Sequence, residues 1–242
     1  MTRNVTDAAD GVQHAGDMPP ENRAMPTVDR VMYYSKFRDV GLSDALETWS
    51  AGASAASYWG DHGMHDVAVY TLDTHVCLYA ETAGGAARAW DWPAEIAELF
   101  ERWPSPDSAD LRCAVPMLDV FHDGVPIDAE SWRGDREVAD RVGSLTFLKP
   151  EMFASYVFHH FQRQEELPES FNRTYMIGSL GTLLFSYSES PATAANVDAP
   201  ARAGQRTPTD WHAVMQPHFD LTHGRPDAPA DEPIWRRMHR LV

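Results

Sequence analysis

Residues 144–191 read SLTFLKPEMFASYVFHHFQRQEELPESFNRTYMIGSLGTLLFSYSESP, and this stretch decides the fold. An apolar run from Leu145 to Leu148 stops at Lys149-Pro150. Beyond it, Met152, Phe153, Tyr156, Val157, His160 and Phe161 recur at the three-and-four spacing of a helix face. Two runs of strand character follow, Thr174–Gly178 and Leu183–Glu189, joined by a Ser-Leu-Gly-Thr turn. The unit is β-α-β-β. Tyr156 and His160 stand four residues apart, so both project from one helix face toward the sheet. A phenol and an imidazole in that position make either a packed core or a small-molecule site.

Upstream, Val31–Phe37 predicts a strand. Leu42–Tyr58 predicts a helix whose apolar face is built largely from small residues, with Gly52 inside it. Strands are expected at His65–Tyr70 and His75–Glu81, then a Gly84-Gly85 loop and a helix carrying Ile96, Leu99 and Phe100. A loop at Pro104–Asp110 leads to a strand at Met117–His122, and Asp123–Val142 reads as a charged linker or peripheral helix. Residues 1–28, polar and rich in Gly, Pro and Asp, read as a disordered tail.

The two halves resemble each other. A displacement of 108 residues sets Val67 on Tyr175, Tyr79 on Tyr187 and Glu81 on Glu189. A displacement of 121 sets Trp90 on Trp211 and Met117 on Met238. The difference of 13 falls in Ala192–Pro208, a Pro/Ala/Gly loop where insertion costs little. Two copies of one small domain are expected, residues 29–124 and 143–242, with a linker at 125–142. Each would run β-α-β-β-α-β, the ferredoxin-like order. The expected fold class is therefore α+β, two tandem ferredoxin-like repeats packed sheet to sheet as an internal pseudo-dimer.

The totals bound the function. A net charge of −16 argues against a nucleic-acid backbone or an anionic membrane as partner. Cys77 and Cys113 lie in or beside apolar runs and read as reduced core residues of a cytoplasmic protein. No apolar run approaches the roughly 18 residues of a membrane span, and the N-terminus lacks a signal-peptide core. Phosphate-binding glycine loops, Gly-x-Ser-x-Gly, Cys-x-x-Cys and His-Glu-x-x-His are all missing from the sequence, so no metal and no Rossmann cofactor is expected. His218 and His223 in PHFDLTHG lack a converging third ligand. Glu81 and Glu189 read as solvated charges at the sheet edge.

These residues resemble motifs of the dimeric α/β-barrel superfamily, and within it most of all the L-rhamnose mutarotase family. Gly63-Met64-His65-Asp66-Val67-Ala68-Val69-Tyr70 matches that family's strand entry, and Thr174-Tyr175-Met176-Ile177 matches it in part. Tyr156 and His160 match its Tyr-x-x-x-His helix. Ile234-Trp235-Arg236-Arg237-Met238 and the run Cys113–Val120 are two versions of its late Trp-Trp-x-x-Met strand, the first with one Trp replaced and the second with both. The 108-residue displacement puts Thr48 and Gly52 where Tyr156 and His160 stand, so the first half lacks the pair and reads as scaffold.

What the resemblance implies is a small-molecule enzyme. The superfamily includes mutarotases, cyclases of aromatic polyketides, and metal-free oxygenases of electron-rich quinols. The lost stacking Trp and the fused copies favour specialised metabolism: a monooxygenase or cyclase acting on a polycyclic aromatic polyketide, as in antibiotic biosynthesis. His160 would be the base. Tyr156 and Trp235 would position the ring, and Tyr175, Met176, Met238 and Trp211 would line the pocket. Oxygen would be the co-substrate, with reduced flavin as a second co-substrate or none at all. A sugar mutarotase and a non-catalytic ligand-binding protein are the alternatives. Further homodimerisation is left open.

Overall fold

Tyr33 and Tyr34, Leu78 and Tyr79, Met176 and Ile177, and Leu184 and Phe185 are sequence neighbours whose side chains are all buried. Adjacent strand residues point to opposite faces, so the strands that carry them are covered on both sides. The computed structural model describes residues 28–83, 90–105, 109–126, 131–132, 134–194, 204–223 and 233–242. The expected tail, save Val28, and the Gly84-Gly85 loop lie outside the described residues.

In chain order the first elements are β1 (Val28–Lys36), α1 (Ser43–Ser50), α2 (Ala53–Asp61), β2 (Met64–Leu72) and β3 (His75–Ala83). Four short strands follow: β4 (Trp103–Pro104), β5 (Leu111–Arg112), β6 (Val115–Pro116) and β7 (Leu118–His122). Then come β8 (Asp140–Phe147), α3 (Phe153–Glu166), β9 (Met176–Leu180) and β10 (Leu183–Ser190). The chain closes with α4 (Trp211–Met215), β11 (Arg236–Arg237) and β12 (His239–Arg240). The architecture is α+β. One sheet runs β12-β2-β3-β1-β6, a second runs β11-β8-β10-β9-β7, and β4 and β5 form a separate small hairpin.

The late strands are exchanged between the sheets. β6 pairs with β1 in the first sheet, and β7, two residues on, pairs with β9 in the second. β11 pairs with β8 in the second sheet, and β12 pairs with β2 in the first. Met117 and Met238 sit at the two crossings, each donating its N–H over 2.9 Å to a first-strand carbonyl, of Met32 and Gly143 respectively. Register repeats between the halves: Leu118 faces Ser179 as His239 faces Thr71, and Asp119 faces Gly178 as Arg240 faces Tyr70. These are the displacements of 121 and 108 read from the sequence. Met32 and Gly143, opposite Tyr79 and Tyr187, differ instead by 111, so the first-to-second strand connection is three residues shorter in the second half.

Three apolar layers result. α1 and α2 cover one face of the first sheet through Leu46, Ala55 and Trp59. The two sheets meet through Met32, Tyr70, Tyr79, Phe185 and Tyr187. Tyr156, Met215 and Phe219 cover the outer face of the second sheet. Between the sheets the Tyr79 and Tyr187 rings stack, centroids 3.6 Å apart and 6° from parallel. The approach is so close that a Cβ on Gly143 would lie 2.5 Å from the Tyr70 ring.

Several local expectations are corrected. The helix expected over Leu42–Tyr58 breaks into α1 and α2 at Gly52, which is extended; a Cβ there would press on the Trp49 carbonyl at 3.1 Å. Ile96, Leu99 and Phe100 lie around a single 3-10 turn, Ala97–Leu99. The backbone there is drawn out by bonds to the end of β1, from Arg38 N to the Leu99 carbonyl and from Glu101 N to the Lys36 carbonyl. The stretch read as linker holds buried Asp123 and Trp132, and β8 already begins at Asp140.

Glu81 and Glu189 are not solvated but buried, 3% and 1% exposed. Glu81 accepts from Tyr79 Oη and Trp132 Nε1, and Glu189 from Tyr187 Oη and Arg136. Cys77 and Cys113 are free and buried. Among the described residues no helix is long and apolar enough to cross a membrane.

Candidate functional site

Pro150 opens a 3-10 turn, Pro150–Met152, where its missing N–H costs nothing, and the turn runs on into α3. The buried residues of α3 are Tyr156 and His160, four apart and in tilted ring contact, with centroids at 4.0 Å and planes 33° apart. Phe161, expected on the same face, is 57% exposed. Arg163, seven residues beyond Tyr156, continues the inward stripe in its place, since seven residues are close to two full turns.

Between this stripe, α4 and the outer face of the second sheet lies a cavity of about 420 Å³. Tyr156, His160, Tyr175, Trp211 and Trp235, five of the seven residues singled out from the sequence, line it. Met176 and Met238 do not. Met176 belongs to the layer between the sheets because it alternates with Tyr175 and Ile177, and Met238 is held at a strand crossing in that same layer. Trp211 opens α4, capped by Asp210, whose carboxylate accepts from Ala213 N at 3.0 Å.

The sequence reading missed Arg163, Phe121, Phe171 and Phe219 in the lining. Phe121 comes from β7, so the exchanged strand of the first half supplies a wall; its ring meets His160 edge-on at 5.3 Å. Phe171 and Tyr175 are presented by a loop fastened to Asp123. That carboxylate accepts from the N–H groups of Ser170, Phe171 and Asn172, at 3.2, 2.8 and 2.6 Å. The signal for Arg163 was its i+7 relation to Tyr156. Phe121 had no local signal, because its place depends on a pairing across halves.

His160 is defined by its surroundings. Its Nδ1 lies 3.0 Å from the Tyr156 carbonyl, which can only accept, so Nδ1 carries the proton and Nε2 holds the lone pair. Trp211 packs edge-on at 4.9 Å. Burial pushes the imidazole pKa down to about 4, against the backbone bond, which raises it. The ring is neutral near pH 7 and can accept a proton at Nε2. Burial pushes the Tyr156 phenol well up, and Tyr175 up to about 12, the latter opposed by a bond to Ser186. Both phenols stay protonated and can donate.

Arg163 stands over the Trp211 ring, 5.1 Å from its centroid, and reaches Ser170 Oγ at 3.4 Å. Burial lowers its pKa and the charge of Asp123 raises it; a guanidinium so placed remains charged. His218 is occupied, Nδ1 donating to the Met215 carbonyl and Nε2 accepting from Ser155 Oγ at 2.9 Å. His159 is half-buried at the rim of this pair. Among the described residues no three His, Cys, Asp or Glu side chains converge as a metal site.

The helix-covered face of the first sheet is filled differently. Trp59, Trp90, Trp92 and Phe100 pack there ring against ring, with Trp90–Trp92 and Trp92–Phe100 centroids both at 4.9 Å. Searches against known protein families, curated proteins and solved structures return no match to this chain.

Proposed function

We propose that this protein is a small-molecule enzyme that acts on a polycyclic aromatic phenol or quinol of the polyketide type, as an oxygenase or a cyclase. The observation that carries the reading is the cavity: about 420 Å³, walled by tyrosine, tryptophan and phenylalanine, with His160 in its lining and the lone pair of that ring on Nε2. That volume falls within the usual ligand-pocket range of roughly 300–1,000 Å³. Aromatic walls suit a flat, weakly hydroxylated ring system. Most of the lining is aromatic or aliphatic, and its polar groups are those of His160, Arg163, His212, Gln216 and the Tyr156 and Tyr175 phenols.

In this reading Nε2 of His160 takes a proton from the ring hydroxyl or the adjacent acidic CH₂, which raises electron density on the ring. As an oxygenase, the activated carbon then reduces O₂. A ring CH₂ becomes C=O, one oxygen atom enters the product, and the other leaves as water with the two hydrogens. That balance closes without a second reductant, and reduced flavin is kept as one arm of the test. As a cyclase, the same deprotonation yields a carbon nucleophile and no oxygen is used. The strand exchange and the repeated register support reading the chain as two ferredoxin-like copies in an internal pseudo-dimer. The tryptophan-filled first half supports a single working site in the second.

The test is a spectral titration with polycyclic quinols and quinones, with dissolved oxygen followed and reduced flavin present or absent. Binding with oxygen consumption in the wild type, lost in His160→Ala, supports the oxygenase. Binding with turnover but no oxygen loss assigns the cyclase. Absence of binding, together with accelerated anomer exchange of L-rhamnose, would overturn the reading in favour of a mutarotase.

A further inference from the structure

Among the described residues Arg163 is a cation without a carboxylate within 4 Å. Its contacts are the Trp211 face and a long bond to Ser170. The nearest acidic influence is Asp123, and that carboxylate is committed to three consecutive backbone N–H groups. A half-buried, unpaired guanidinium on the wall of an aromatic cavity is costly unless something anionic meets it. Arg136 pairs with Glu189 and Arg141 with Asp66 at 2.6 Å. Arg30 and Arg112 bond backbone carbonyls, and Arg30 and Arg173 stand over Trp132, none of these three in the lining of the aromatic cavity. Arg163 stands apart in lining a cavity instead.

Geometry favours a ligand rather than solvent as its counterpart. Arg163 lies three residues from His160 on α3, so the two side chains are neighbours on one face. The indole of Trp211 contacts both, edge-on to His160 and under the guanidinium. Stacking on the indole holds the fork in a plane and leaves donor edges to present. A protein of net charge −16 repels anions at long range, so a local cation is what an anionic ligand would need.

We propose that the cavity binds its aromatic ligand as an oxyanion, with an acidic oxygen on the ring system held by the Arg163 guanidinium beside His160. The ring-borne group is a carboxylate or an ionised phenol, which share this chemistry. The inference rests on the aromatic-ligand reading above and goes beyond it by fixing the charge state of the ligand and the residue that selects it. Arg163 is a binding and specificity residue. It holds the anion, while His160 handles the proton.

Matched probe pairs test it by fluorescence quenching or calorimetry. One pair is 2-naphthoate against neutral 2-naphthamide. The other is 2,4-dinitro-1-naphtholate, ionised at neutral pH, against its methyl ether. The anion of at least one pair is expected to bind roughly ten- to a hundredfold more tightly than its neutral partner, the range of a hydrogen bond to a charged group. Added salt should narrow that margin. Arg163→Met keeps the aliphatic packing on Trp211 and should abolish the margin while leaving the neutral probes within about threefold. Arg163→Lys keeps the charge and should retain a reduced margin.

A preference confined to the first pair assigns a carboxylate, and one confined to the second assigns a phenolate. Equal binding of anion and neutral partner by the wild type overturns the anion proposal alone. So does an anion preference that survives in Arg163→Met. If no probe of either pair binds, the aromatic-ligand reading fails and this inference falls with it.

Discussion

The His160 imidazole donates from Nδ1 to the Tyr156 carbonyl one helical turn earlier, over 3.0 Å. The bond fixes the proton on Nδ1 and leaves the lone pair on Nε2 of a ring that lines the cavity. A histidine 5% exposed and surrounded by Tyr156, Trp211 and Phe121 gives up its charge easily. The same enclosure that keeps the ring neutral, with an open lone pair, near pH 7 makes the fold sensitive to acid.

The sign of that sensitivity follows from linkage. The folded pKa is about 4, against roughly 6.5 for an unfolded histidine. Between those values the unfolded chain binds a proton that the folded chain refuses, so stability falls as pH drops through the window. The loss is on the order of 3 kcal/mol when complete. Urea unfolding at pH 7.5, 6.5, 5.5 and 4.5 should show this decline. His160→Gln, which cannot titrate, should flatten it, and an unchanged slope in that variant would place the acid sensitivity elsewhere.

Asp123 governs the roof of the cavity. Its carboxylate gathers three successive N–H groups, and its own carbonyl accepts from Glu169 N at 2.9 Å. An asparagine offers one acceptor oxygen where the carboxylate offers two, so Asp123→Asn strands at least one donor. The expected cost is about 1.5–3 kcal/mol, the range for hydrogen bonds to a charged group. Protease cleavage should become faster between Pro168 and Asn172, and affinity for an aromatic probe should drop. Unaltered proteolysis of that loop would contradict the role.

How much of this was legible depends on the range of the interaction. Tyr156 and His160 could be placed together because a helix converts a four-residue spacing into a shared face. Trp211 could be placed at a helix start because Asp210 caps locally. Arg163 obeyed the same helical rule but was passed over for lying among the polar residues that end α3. Period two showed that Tyr175 and Met176 oppose each other without saying which faces the cavity. Glu81 and Glu189 look like edge charges until Trp132 and Arg136, from the segment taken for a linker, are seen to cover them. The crossings at Met117 and Met238, and Phe121 with them, rest on pairings more than 50 residues apart in sequence, beyond any local pattern.

The contact between the sheets leads to a paired prediction on two glycines. A Cβ at Gly143 would meet three atoms of the Tyr70 ring at 2.5, 2.6 and 2.8 Å, and that ring is itself fully buried. Gly143→Ala is therefore expected to cost about 1–3 kcal/mol by overpacking. Gly60, inside α2, has open space at its Cβ position. Gly60→Ala should stabilise by about 0.5–1 kcal/mol through helix propensity alone. Thermal melts of the two variants should move in opposite directions, and a Gly143→Ala protein as stable as wild type would show that the sheets can separate without cost.

Glu189 is coupled to several partners at once. It is 1% exposed, paired with Arg136, 3.8 Å from Arg141, and it accepts from Tyr187 Oη at 2.8 Å. Tyr187 in turn stacks on Tyr79, whose hydroxyl bonds Glu81 in the same manner, so two carboxylates anchor the stack from its two halves. Removing one partner of a buried pair leaves the other charge uncompensated. Glu189→Met should accordingly cost roughly 3–5 kcal/mol. Arg136→Met added to it removes the stranded cation and should recover part of that loss, while Arg141 keeps its own bond to Asp66. A double-mutant cycle in urea reads the coupling directly. Strictly additive losses would mean that Arg136 and Glu189 are held by their surroundings rather than by each other.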